Sequence, residues 1–149
     1  MTTTRDRLNA LKEIDLTYLD KAEAKEFTVL LEELTKREFQ EKSTSTFMHF
    51  VKSIWKEFIN GDHHVKMAKA FDDIASGKLK RLIINMPPRH TKSEFASFLL
   101  PAWMVGRRPN LKIIQSTHTT ELAIRFGRKA KTLMDDPVYK EVFKTRLRE

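Results

Sequence analysis

Residues 81–134 read RLIINMPPRHTKSEFASFLLPAWMVGRRPNLKIIQSTHTTELAIRFGRKAKTLM. The stretch opens on a short apolar run, Leu82-Ile83-Ile84, bounded by charges and by Asn85-Met86-Pro87-Pro88, the pattern of a buried parallel strand. Phe95, Phe98, Leu99 and Ala102 then fall at i, i+3, i+4 and i+7, which predicts a helix starting near Lys92 and kinked or ended by Pro101. Gly106 and Pro109 mark an exit loop, and Leu111-Lys112-Ile113-Ile114 reads as a second buried strand. Ser116–Thr120 is its polar end. Glu121–Met134 follows as a helix burying Leu122, Phe126, Ala130 and Leu133, with a last short helix after Pro137. Strand, helix, strand, helix is a βαβ unit with parallel pairing and a right-handed crossover. The fold expected is therefore α/β.

The turn between the first run and its helix has the order that phosphate chemistry requires. A strand leads into a tight turn whose N–H groups face inward, and Lys92-Ser93 opens the helix. In such a loop the lysine reaches the β- and γ-phosphates and the hydroxyl binds Mg²⁺. The strict pattern of two glycines before Lys-Ser/Thr is not met: Met86 and Thr91 stand in the glycine positions. Glycine there admits unusual backbone angles, whereas threonine brings a β-branched side chain. On pattern alone, a proline-rich loop with an incidental Lys-Ser is as good a reading.

The same 54 residues closely resemble the large terminase subunits of tailed bacteriophages, which show PPRHGKS after the strand, an aromatic helix ending in PAW, a Gly-Arg-x-Pro turn and an FGRK-like stretch. His63-His64 and Ala75-Ser76-Gly77-Lys78 resemble the segment preceding that loop. The similarity covers roughly residues 47–144. It implies an incomplete P-loop NTPase of the RecA/ASCE type, with a parallel-sheet core preceded by a helical region. It also implies ATP and Mg²⁺ as ligands, with nucleotide held by Pro88, Arg89, His90, Thr91, Lys92 and Ser93. Lys92 would grip the β- and γ-phosphates, Ser93 would hold the metal, and Arg89 would stabilise γ-phosphate charge. Thr91 departs from the family's usual glycine.

Upstream, Phe27, Leu30, Leu31, Leu34 and Phe39 recur at helical spacing across Lys21–Lys42. The cluster Ser43–Thr46 reads as a short loop before a second helix carrying Phe47, Phe50, Val51, Ile54, Trp55 and Phe58. Asp62 can cap a third helix with Val65, Ala68, Phe71 and Ile74 on its apolar side, ended by Gly77. The division expected is a helical region over 1–60 and, as the resemblance implies, the first part of an ATPase domain over 61–149. The net charge of +8 is confined to the second part: residues 1–60 carry 10 Lys/Arg against 11 Asp/Glu, and residues 61–149 carry 18 against 9. A basic half attracts polyanions, although lysine faces are often merely solvated. Without cysteine there is no disulfide or thiolate metal site, and a reducing compartment suits the composition. No signal peptide or membrane span is visible, so a soluble protein is expected; the resemblance implies the host cytoplasm, transiently at the procapsid portal, as its location.

The remaining candidates each carry a bland alternative. None of the five histidines has an established metal-ligand spacing; His63-His64 either begins a helix near the nucleotide base or is a surface pair. Gln115–His118 are coupling residues or a polar loop with a cap at Thr119 or Thr120. Arg125, Arg128 and Lys129 share one helical face, either solvated or presenting Arg128 as an arginine finger to a neighbour's ATP. After Ser93 no apolar run precedes an Asp-Glu pair, so the acid that supports Mg²⁺ and activates water is missing, as is an acidic nuclease centre. The function the resemblance implies is the ATP-binding part of a motor moving double-stranded DNA into a procapsid. Its partners would be the portal, the small terminase subunit, the rest of the large subunit on another chain, and like subunits in a ring. The chain alone would be inactive. A helicase-like ATPase or a non-catalytic module binding DNA or the small terminase subunit are the alternatives.

Overall fold

The computed structural model describes residues 20–143 together with residues 6, 9 and 11. The chain divides into two compact units, 1–42 and 43–149.

The first unit is dominated by helix α1, Lys21–Ser45, whose last residues lie in the second unit. Its start is chemically specified. Asp20 Oδ1 accepts from Ala22 N and Glu23 N at 2.7 and 2.8 Å, and Glu23 Oε2 accepts from Asp20 N at 3.0 Å. This is a reciprocal capping box that satisfies otherwise orphaned donors. Along the helix Glu38 pairs with Lys42 at 2.6 Å, a contact worth a few tenths of a kcal/mol. Ser43–Ser45 continue the helix rather than forming a loop, and only Thr46 interrupts it.

In the second unit α2 (Phe47–Ile54) and α3 (Asp62–Ala75) are followed by a helical run in three parts. These are α4 (Lys92–Glu94), a π-helical stretch (Phe95–Leu99) and α5 (Leu100–Arg107). Then come α6 (Thr120–Asp135) and α7 (Pro137–Val142). Pro101 does not end its helix. It sits in the first turn of α5, where a missing N–H costs least. The carbonyl it leaves unserved four residues back, that of Ser97, accepts from the Gln115 side-chain amide at 3.1 Å. Gly106 lies inside α5 rather than in an exit loop, and glycine is needed there because a Cβ would stand 2.6 Å from the Phe143 ring.

The core is aromatic. Phe47 meets Phe71, Phe95 and Trp103 edge-on, with ring centroids 5.1–5.6 Å apart, and Phe50 meets Tyr139 and Phe143. Its polar tips are satisfied: Trp103 Nε1 donates to Ser43 O at 3.0 Å, and the Tyr139 hydroxyl donates to Ala102 O at 2.8 Å. Burial pushes the Tyr139 phenol up to about 12. In α3 the buried apolar positions are Met67, Ala68, Phe71 and Ala75; of the expected face Ala68 and Phe71 are buried and Val65 is exposed.

The expected parallel sheet is absent. Among the described residues there is no strand, and the α/β P-loop core is replaced by an all-helical arrangement. The two runs assigned as buried strands carry no regular structure, and Ile83 and Ile114 are 93% and 97% exposed. A strand exists only through a ladder with a neighbour, and these segments have none. β-branched composition alone cannot supply it.

Candidate functional site

The loop 88–93 joins the unstructured segment after α3 to α4. Its backbone is unusual: Arg89 has φ 65° and Thr91 φ 56°, the only non-glycine residues in the left-handed region among those described. His90 between them and Lys92 after them are therefore right-handed or extended. Such alternation turns successive N–H groups toward one side, the geometry of an anion-binding nest. Thr91, with φ 56° and ψ 6°, is also the N-cap of α4. A β-branched residue there costs on the order of 1–3 kcal/mol, so the surroundings must hold it.

They do so through a chain of hydrogen bonds. His64, 6% exposed, lies 2.6 Å by its Nε2 from Thr91 Oγ1. The Thr91 hydroxyl donates to His90 O at 2.7 Å, and His90 Nδ1 reaches Pro88 O at 2.9 Å. At about 0.5–1.5 kcal/mol per bond, these contacts are of the size needed to offset the strain. Burial, reinforced by the neighbouring His63 and His90, holds the His64 imidazole below its ordinary pKa of 6.5. The imidazole is thereby kept in the neutral form.

Lys92 lies with Nζ 2.9 Å from Met86 O and 3.4 Å from Pro87 O, so its ammonium is held over the start of the loop. Pro88 through Glu94 line a concavity of about 330 Å³, so Pro88, Arg89, His90, Thr91, Lys92 and Ser93 share one wall. The set suits a phosphate group: a cation, a turn with two left-handed residues and a hydroxyl. For Mg²⁺ the loop offers Ser93 alone. No group of three or more His, Asp or Glu able to hold a metal occurs among the described residues.

Glu94 is the one acid lining the concavity. It pairs with Lys129 of α6 at 2.7 and 2.9 Å. With both side chains about one-third exposed, the pair adds at most about 1 kcal/mol, but it fixes α6 beside the loop's helix. Lys129 is thus engaged rather than part of a free basic face. Arg128 stands apart from the loop. It lines, with Arg125, Ile124, Leu133 and Phe98, a larger and more apolar groove of about 870 Å³ along α6. Size alone would favour this groove as the site, but the loop concavity is lined by Arg89, Lys92 and Ser93, the residue types that phosphate chemistry uses.

His63 and His64 lie in the first turn of α3, with His64 buried as the partner of Thr91 rather than part of a surface pair. Sequence reasoning missed that partnership because it spans 27 residues. The one available signal was a threonine where the loop needs left-handed backbone. Thr119 caps α6 by accepting from Leu122 N at 3.3 Å. Gln115 serves the helix carbonyl left by Pro101. No protein-family model, curated protein or solved structure matches the chain.

Proposed function

We propose that the loop Pro88–Ser93 binds the phosphates of ATP together with Mg²⁺. What supports the reading is the pairing of alternating left-handed residues, Arg89 and Thr91, with the Lys92 ammonium over the same turn. On binding, Lys92 exchanges the carbonyls of Met86 and Pro87 for β- and γ-phosphate oxygens. The backbone N–H groups take the remaining oxygen lone pairs and Arg89 adds a second cation. Ser93 Oγ would hold Mg²⁺, which when bound would supply neutralisation of phosphate charge. This reading rests on the loop and not on a sheet.

The resemblance of residues 81–134 to large terminase subunits supports reading this site as part of a motor that moves double-stranded DNA into a procapsid. In that setting the partners are the portal, the small terminase subunit, the remainder of the large subunit and further copies in a ring, in the host cytoplasm. Arg128 is then the cation offered to a neighbour's phosphate. The excess of Lys and Arg after residue 60 suits a DNA partner. No helix among the described residues is long and apolar enough to cross a membrane.

The test is thermal protection by a non-hydrolysable ATP analogue with Mg²⁺. At one hundred times Kd, linkage stabilises a fold by about 2.7 kcal/mol, a Tm rise of about 5–10 °C for a domain of this size. The wild-type chain is expected to show it and Lys92→Ala to lose most of it. Equal protection of the two would remove Lys92 from the site. Protection of neither, with both folded, would favour the non-catalytic module.

A further inference from the structure

A threonine in a loop position that needs left-handed backbone calls for a reason, and the hydrogen bonds around it supply one. Gly61 N donates to His64 Nδ1 at 3.0 Å. That bond requires a lone pair on Nδ1, so the proton of the neutral ring sits on Nε2. Nε2–H then donates to Thr91 Oγ1 at 2.6 Å, and the Thr91 hydroxyl passes its own proton forward to His90 O at 2.7 Å. All three bonds run in one direction, from the N-cap of α3 to the loop. The ring itself cannot swing away, since it is packed against Phe58 and Phe95 at centroid distances of 4.8 and 5.2 Å.

We propose that His64 is the positioning residue of the loop: through the relay Gly61–His64–Thr91–His90 it holds residue 91 left-handed and ties the loop to the start of α3. Threonine at 91 thus replaces the conformational freedom of glycine with a hydroxyl that the protein grips. A glycine there reaches the same backbone angles unaided and has nothing for His64 to hold. Valine has the shape of threonine without the hydroxyl, and is left in a conformation that a β-branched residue avoids. The proposal rests on the phosphate-binding reading for its consequence, but not for its geometry.

The experiment uses the whole chain, labelled with ¹⁵N and ¹³C. A strong intraresidue amide–Hα NOE marks positive φ, and the ring ¹⁵N shifts of His64 report which nitrogen carries the proton. Wild type is expected to show the strong NOE at residue 91 and an Nε2–H tautomer. Thr91→Val and His64→Ala are expected to lose the NOE. His64→Gln, which keeps an amide donor for Thr91, is expected to retain it. Thr91→Val leaves the Gly61–His64 bond in place and so answers the case in which His64→Ala fails to fold.

In the second arm, affinity for the Mg²⁺-bound ATP analogue is measured. His64→Ala is expected to weaken it about five- to tenfold, the factor for one lost hydrogen bond, and by less than about twofold in the Thr91→Gly background. A persisting NOE in Thr91→Val or His64→Ala, an Nδ1–H tautomer, or equal weakening in both backgrounds would each overturn the relay. If wild type fails to bind the analogue, the phosphate reading falls, and the NOE and tautomer alone decide the relay.

Discussion

At the scale of single residues, the loop depends on a histidine that must stay uncharged. A proton on Nδ1 of His64 would end its acceptance from Gly61 N and leave that N–H unserved. Burial first, then the charges of His63 on the same helix and His90 on the loop, hold the imidazole below 6.5, while its other ring neighbours, Phe58 and Phe95, carry no charge. The unfolded chain therefore binds this proton more readily than the folded one. Stability from this group is complete above about pH 6.5, and declines as pH falls below that value toward the lower folded pKa. Chemical denaturation measured from pH 7.5 downward is expected to show that decline in wild type and a smaller one in His64→Gln. A slope unchanged by the substitution would mean that His64 does not carry it.

Between elements, the joints are made by polar groups that reach across from elsewhere in the chain. α2 lacks a side-chain cap of its own. Instead, the first N–H of the helix, on Phe47, donates to Asp72 Oδ1 of α3 at 2.7 Å. The carboxyl is needed as an acceptor, but its charge is a burden. Desolvation raises its pKa above the ordinary 3.8 against the lowering effects of the Phe47 bond and of Arg107. A raised acid pKa means that this contribution is full at low pH and is lost as pH rises through the folded value. Asparagine keeps the acceptor without the charge. Asp72→Asn is thus expected to match or exceed wild type near pH 7 and to lose that advantage near pH 3. Asp72→Ala is expected to cost about 1–2 kcal/mol by orphaning a half-buried N–H. Urea midpoints of the three proteins check the order, and an asparagine variant as weak as the alanine one would show that the charge itself holds α2.

For the molecule as a whole, what was legible in the sequence was what local rules determine. The 3.6-residue spacing marked the helices, Gly77 at φ 81° ended α3, and Asp136-Pro137 opened α7. What was not legible was non-local. Leu82–Ile84 and Leu111–Ile114 have strand composition without a ladder, and the capping of α2 by Asp72 or the grip of His64 on Thr91 could not be read from spacing. That Pro88–Ser93 lie together was legible because the lysine, serine and turn residues are contiguous. Its conformation was not, because a histidine 27 residues away helps hold it.

That division bears on turnover. Phosphoryl transfer needs bound phosphate, but also an acid that orients water. The concavity has one, Glu94, and it is engaged by Lys129. Asp136 accepts from Val138 N at 2.7 Å, and Asp135 pairs with Lys140 at 3.3 Å, so the acidic pair after α6 is committed to the α6–α7 joint. Where no free carboxylate serves as general base, as among the described residues around the concavity, the cost is about 10²–10⁴-fold. The 149-residue chain is therefore expected to bind ATP yet release phosphate at about 0.01 s⁻¹ or slower, a level set against the 1 s⁻¹ low end of phosphoryl-transfer enzymes. A steady-state phosphate-release assay measures it directly. Turnover near 1 s⁻¹ that disappears in both Lys92→Ala and Glu94→Gln would identify Glu94 as the acid, and would mean that Lys129 tunes it rather than withholding it from water.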